Sequence, residues 1–161
     1  MKEIHYKPIG IVHSPFKEPN GTPIQPTGAA GIDARVELFA EYSEGLKDLN
    51  GFSHIILICH FHLSKKGSLK VKPFLDSKVR GVFATRSPSR PNPIGLSIVR
   101  LVKIEENILY IQDVDIVDGT PLLDIKPYIP ALEERESVKV GWLEKKLPRF
   151  SISRDDGRFV K

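Results

Sequence analysis

Cysteine is almost absent from this sequence: Cys59 stands alone, so an internal disulfide and a multi-cysteine zinc site are both excluded. A buried free thiol is the expectation for it. No apolar run approaches the roughly 18 residues that cross a bilayer, and the opening MKEIHYKPIG lacks the apolar stretch of a signal peptide. A cytoplasmic protein is therefore expected. Neither G-x-G-x-x-G nor G-x-x-x-x-G-K-[ST] occurs, which excludes the Rossmann and P-loop ways of holding a nucleotide. H-E-x-x-H is missing too, as are internal repeats and low-complexity segments. A chain of 161 residues without these features is sized for one domain with one core.

Strand signals dominate what is present. HYKPIGIVHS (5–14), GIDARVELF (31–39), VRGVFATR (79–86), LSIVRLVKIEEN (96–107), ILYIQDVDIVDG (108–119) and LLDIKPYI (122–129) are rich in β-branched and aromatic residues. FSHIILICHFHL (52–63) is apolar on both faces, as a buried strand is. EEN and DGTP read as turns, and PFKEPNGTPIQPTGAAG (15–31) holds too much Pro and Gly for regular structure. AEYSEGLKDLNG (40–51) predicts one short helix stopped by Gly51. With no helices recurring between strands, a βαβ sheet is disfavoured. The expected fold is mainly β, an antiparallel barrel or curled sheet with few short helices.

Three places can carry chemistry. His54, His60 and His62 share one parity in a predicted strand. His60 and His62 can both face a metal, whereas His54 lies about 20 Å away along an extended strand. Two histidines are few for zinc, and no metal site is expected, although a metal-dependent hydrolase built on His60 and His62 is one alternative. ATRSPSRPNPIGLS (84–97) is a stiff loop in which Pro88, Pro91 and Pro93 fix the backbone. Arg86 and Arg90 offer planar forks for carboxylate or phosphate, Asn92 offers donors and acceptors, and Gly95 permits close approach. Finally, the net charge of +4 is concentrated at the end of the chain. Lys139, Lys145, Lys146, Arg149, Arg154, Arg158 and Lys161 face only Glu144, Asp155 and Asp156. Such a segment suits phosphate contact, which releases counterions, or a merely solvated terminus. A non-catalytic RNA-binding barrel is a second alternative.

TRSPSRPNPIGLS, with LNGFSHIILICHFH before it and DGTPLLDIKPYIP after it, closely resembles the TsaA-like (TrmO-type) family of S-adenosylmethionine-dependent tRNA methyltransferases. The resemblance runs from KPIGIVHSPFK to DIKPYIP. It implies a β-barrel methyltransferase of homodimeric form, with the cofactor S-adenosyl-L-methionine near the subunit interface. It also implies transfer of a methyl group to N6 of the threonylcarbamoyl-modified adenosine at position 37 of threonine tRNA, with the anticodon stem-loop as partner. The family's cofactor residues fall on Pro23, Ile24, Gln25, His60, Phe61, Arg86, Leu96, Asp124, Ile125, Lys126 and Pro127. Ile24 departs from a position that is often basic in the family. Asn92 and Asp124 are candidate acceptors for the amine proton. Arg80, Arg90, Arg100, Lys145, Lys146 and Arg149 are candidate phosphate contacts. Residues 1–138 are expected to form the barrel domain and 139–161 its basic C-terminal extension. Some bacterial members carry a second domain, which the short stretch after DIKPYIP is not expected to hold.

Overall fold

The computed structural model describes residues 1–65 and 67–160. Eight strands occur among them: β1 (Gly10–His13), β2 (Asp33–Leu38), β3 (His54–His60), β4 (Lys70–Val71), β5 (Arg80–Gly81), β6 (Ile94–Glu105), β7 (Ile108–Gln112) and β8 (Thr120–Pro127). Six of these close a barrel in the order β1-β2-β7-β6-β3-β8, with every neighbouring pair antiparallel. The expected antiparallel barrel is thus present. Closure leaves the barrel without an edge strand, so its backbone groups pair around the ring.

Alternation along each strand fills the interior. Val12, Val36, Ile55, Leu57, Val99 and Leu109 are fully buried and belong to one apolar cluster. β6 pairs with β3 through residues 94–100 and with β7 through 100–105, and the bulge between Leu101 and Lys103 lets this one strand turn that corner. A smaller pair, β4 with β5, sits over a separate cluster of Val71, Val82 and Phe159 with Phe74 packed edge-on against Phe159.

Several expected elements are shorter or different in kind. The first strand starts at Gly10, because Pro8 has no N–H to give a ladder. The segment 79–86 contributes only Arg80–Gly81 before a 3-10 turn at Val82–Ala84. The strand from Ile108 stops at Gln112 rather than running to 119, since Asp113 turns left-handed at φ 66°. The expected helix over 40–51 is two 3-10 segments, Ala40–Leu46 and Leu49–Gly51, parted by Asp48 at φ 66°. Gly45 within that stretch weakens any α-helix there. The proline- and glycine-rich stretch 15–31 holds one 3-10 turn, Pro26–Gly28, as its composition implies.

The tail folds back onto the barrel. Helix α1 (Pro130–Glu133) follows β8. Trp142 then donates its indole N–H to the Ala84 carbonyl at 2.8 Å. Arg154 bridges Pro23, and Val160 bridges Ser64. Lys161 of the basic segment lies outside the described residues.

Candidate functional site

The β6-β3-β8 wall gathers distant parts of the sequence in register. Leu96, Ile58 and Asp124 lie in one row across the three strands, and Ile98, Ile56 and Lys126 form the next. Their strand neighbours Leu57 and Val99 point inward and are fully buried, so these rows face out. Leu96 is 50% exposed and Ile94, paired with His60 at the rim, is 41% exposed. On the same face Lys126 and Asp124 form an ion pair of 3.0 Å. Asp124 also accepts the Ile125 N–H at 2.9 Å, while Ile125 itself turns inward onto the core. A shift in register after Ile58 separates that face from Leu122.

The proline loop crowns this end of the barrel. Phe61 donates its backbone N–H to the Pro93 carbonyl at 2.7 Å, which ties the end of β3 to the loop. Its ring occupies the space over Gly95, where an added Cβ would stand 2.3 Å from the Phe61 Cζ. That contact explains why the strand begins I-G-L. Arg86 donates to the Gln25 Oε1 at 3.2 Å, joining two segments 61 positions apart in the chain. Arg90 turns back and donates to the Thr85 and Ser87 carbonyls at 3.1 and 3.3 Å, so it closes the loop on itself. Asn92 is exposed, and among the described residues its amide has no hydrogen-bond partner. Pro23 is buried and Ile24 half-buried beside Gln25.

One residue of this region was not singled out from the sequence. Asp115 accepts a 2.6 Å hydrogen bond from the Ser97 hydroxyl. Neighbouring atoms crowd its carboxylate on nearly every side, although the residue keeps an edge at the surface. Burial pushes its pKa up to about 6, against the opposing effects of the Ser97 hydrogen bond and the Arg86 charge. Cys59, just inside, has its thiol pushed up to about 12 by burial and by Asp115, which makes it inert as a nucleophile. The alternation in DVDIVD offered the only trace of Asp115 in the sequence.

The histidines do not share one strand face. His54 and His60 do, but β3 ends at His60, and His62 donates its N–H back to the His60 carbonyl in a tight turn. Among the described residues no group of three His, Cys, Asp or Glu is placed to hold a metal ion. Three phosphate candidates are engaged in ion pairs. Arg80 and Lys146 both bind Asp76, at 2.6 and 2.8 Å, and hold its carboxyl well below the usual range, Lys146 first. Arg100 stands 3.5 Å from Asp113. Lys145 and Arg149 are exposed and form no ion pair among the described residues.

The barrel thus carries an Asp–Lys ion pair and exposed apolar side chains on one outer wall, and a proline-stiffened loop with the Arg86–Gln25 pair at its end, which makes it a β-barrel with a candidate ligand site. Residues 11–134 match the family described as the tRNA-methyltransferase O N-terminal domain, and the chain belongs to that family. It is 60% identical over 156 residues to a protein of Pyrococcus abyssi described as a "Probable S-adenosyl-L-methionine-binding protein", covering 97% of this chain and 85% of that one. It is 38% identical over 154 residues to the tRNA (adenine(37)-N6)-methyltransferase of Escherichia coli, covering 89% of this chain and 66% of the enzyme. The crystal structure of TrmO from Pseudomonas aeruginosa superposes with a TM-score of 0.74 at 35% identity, covering 88% of this chain and 63% of that one. The chain thus spans about two thirds of the length of these two relatives.

Proposed function

We propose that this protein is an S-adenosylmethionine-dependent tRNA methyltransferase that methylates N6 of adenosine 37, the threonylcarbamoyl-modified adenosine of threonine tRNA. The observation that supports the reading is the Arg86–Gln25 hydrogen bond, which joins two positions that the resemblance assigns to the cofactor across 61 residues of chain, while strand pairing brings two others, Leu96 and Asp124, into one row of the β6-β3-β8 wall. The chemistry of these groups fits the cofactor. Arg86 suits its carboxylate, the Asp124–Lys126 pair suits its zwitterionic end or ribose diol, and either the exposed Leu96 side chain or, on the other face of β6, the Phe61 ring suits its flat or aliphatic surface.

When bound, S-adenosylmethionine supplies a methyl group on a sulfonium, itself an excellent leaving group. The protein's task is then to align the amine with the methyl carbon and exclude water, not to supply a strong base. The exocyclic amine has its lone pair delocalised into the ring, so an acceptor for one N–H exposes that pair. Asn92 fits this role better than Asp124: its amide is unoccupied, whereas Asp124 already serves Lys126 and the Ile125 N–H. The working unit in this reading is a cytoplasmic homodimer, with residues 1–138 as the barrel domain and 139–161 as its extension. No helix among the described residues is long and apolar enough to cross a membrane.

Calorimetric titration with S-adenosylmethionine tests the reading on wild type and Arg86→Ala in parallel. Saturable binding to wild type, weakened tenfold or more in the variant, is expected. Absence of binding to folded wild type contradicts it and leaves an RNA-binding barrel as the better account.

A further inference from the structure

Behind the proline loop lies an open groove of about 520 Å³ whose lining includes Lys65, Lys70, Lys72, Arg158, Phe159 and Ser89 and, among the described residues, no acidic side chain. Lys65, Lys70 and Lys72 are exposed, and among the described residues none of them has a carboxylate partner. A lysine without a counter-charge keeps its attraction for an external anion undiminished. A second groove, of about 400 Å³, shares Lys72 with the first and adds Lys146 and Arg149. Its one acid, Asp76, has a side chain only 5% exposed and is bonded to both Arg80 and Lys146.

The floor is built to hold these charges in place. Phe159 is 5% exposed and packs edge-to-face on Phe74 at 4.9 Å. The tail strand is pinned there by Lys65, whose backbone N–H donates to the Phe159 carbonyl at 2.9 Å. Arg158 is clamped by Asp156 and donates to the Pro73 carbonyl at 3.0 Å, so it fixes the wall rather than offering a free charge. Among the described residues the free cations of the two grooves are thus the three lysines and Arg149, spread over both grooves instead of clustered around one point. A single small anion would need convergent donors. A chain of phosphates needs a line of them.

We propose that the groove of Lys65, Lys70 and Lys72 is a docking track for the sugar-phosphate backbone of RNA, leading along Ser89 to the proline loop. The proposal rests on the methyltransferase reading for its choice of RNA, and it moves the main phosphate contacts from Arg80 and Arg90 to Lys65, Lys70 and Lys72. The basic tail acts here as a wall, with Arg149 extending the track.

The test measures binding of purified total tRNA by wild type and by Lys65→Gln/Lys70→Gln/Lys72→Gln at several salt concentrations. A control variant, Lys2→Gln/Lys7→Gln/Lys47→Gln, loses the same charge at exposed sites elsewhere. S-adenosylmethionine titration and thermal unfolding accompany each protein. The groove variant is expected to bind tRNA at least tenfold more weakly. Its log–log salt slope should be shallower by about 2 to 3, as loss of three phosphate contacts implies, with cofactor affinity and melting unchanged. Unchanged tRNA affinity and slope, or an equal loss in the control variant, overturns the track while leaving the methyltransferase reading intact. Failure of wild type to bind S-adenosylmethionine overturns that reading instead, whatever the groove does with tRNA. Inorganic phosphate that competes for the lysines as well as tRNA does, phosphate for phosphate, also overturns the track in favour of an isolated anion site.

Discussion

The carboxyl of Asp115 is held by the Ser97 hydroxyl and its pKa is raised to about 6 by burial, against the charge of Arg86. Folding therefore takes up a proton between about pH 4 and pH 6, and stability falls as pH rises through that window, with the full cost present above it. Asp115→Asn keeps the shape and cannot ionise. Relative to wild type it is expected to gain up to about 3 kcal/mol between pH 4 and pH 7. Urea unfolding of both proteins at the two pH values checks this, and a stability difference that does not change with pH contradicts it. The same residue marks where sequence reading ran out. Arg86, Gln25 and Leu96 stand in distinctive motifs, but Asp115 looked like one acid among three in DVDIVD. Asp113 accepts the Gly31 N–H, Asp118 accepts the Ser14 N–H, and Asp115 takes Ser97, so each closes a different crossing. Only the fold tells them apart.

β6 carries more of the account than any other strand. Its first half pairs with β3, its second half pairs with β7, and its outer positions Ile94, Leu96 and Val102 are 41%, 50% and 52% exposed. An apolar stripe of this kind on an outer wall suits burial against a second copy of the chain. Leu96→Glu places a charge in that seam without touching the core. Light scattering is expected to give twice the chain mass for wild type and the single chain mass for the variant. A wild type of single mass contradicts the dimer. The strands were legible because β-branched runs bounded by Pro, Gly and Asn recur along the chain. The 40–51 helix was misjudged because good helix formers say nothing of the left-handed turn at Asp48, which splits it. The strand assigned to 79–86 failed for a related reason, since Arg80–Gly81 has only Lys70–Val71 to pair with.

Charge across the whole molecule is organised by the returning tail. Read as a sequence, residues 139–161 look like a basic arm. Folded, they press Trp142 against Ala84, lay Phe159 beneath the groove and engage Lys146 with Asp76. Net charge was legible, but which cations are engaged internally was not, because ion pairs such as Asp76 with Lys146 join residues seventy positions apart. In the methyltransferase proposed above, residues around the β6-β3-β8 wall and the proline loop deliver a methyl group to adenosine 37 of tRNA. The most direct measurement incubates the protein with threonine tRNA bearing threonylcarbamoyl-adenosine and methyl-labelled S-adenosylmethionine, then identifies the labelled nucleoside by mass spectrometry. The account predicts label on N6 of that adenosine for wild type, with at least a hundredfold slower transfer for Arg86→Ala. Label at another nucleoside, or none from a folded protein that binds both substrates, would contradict it.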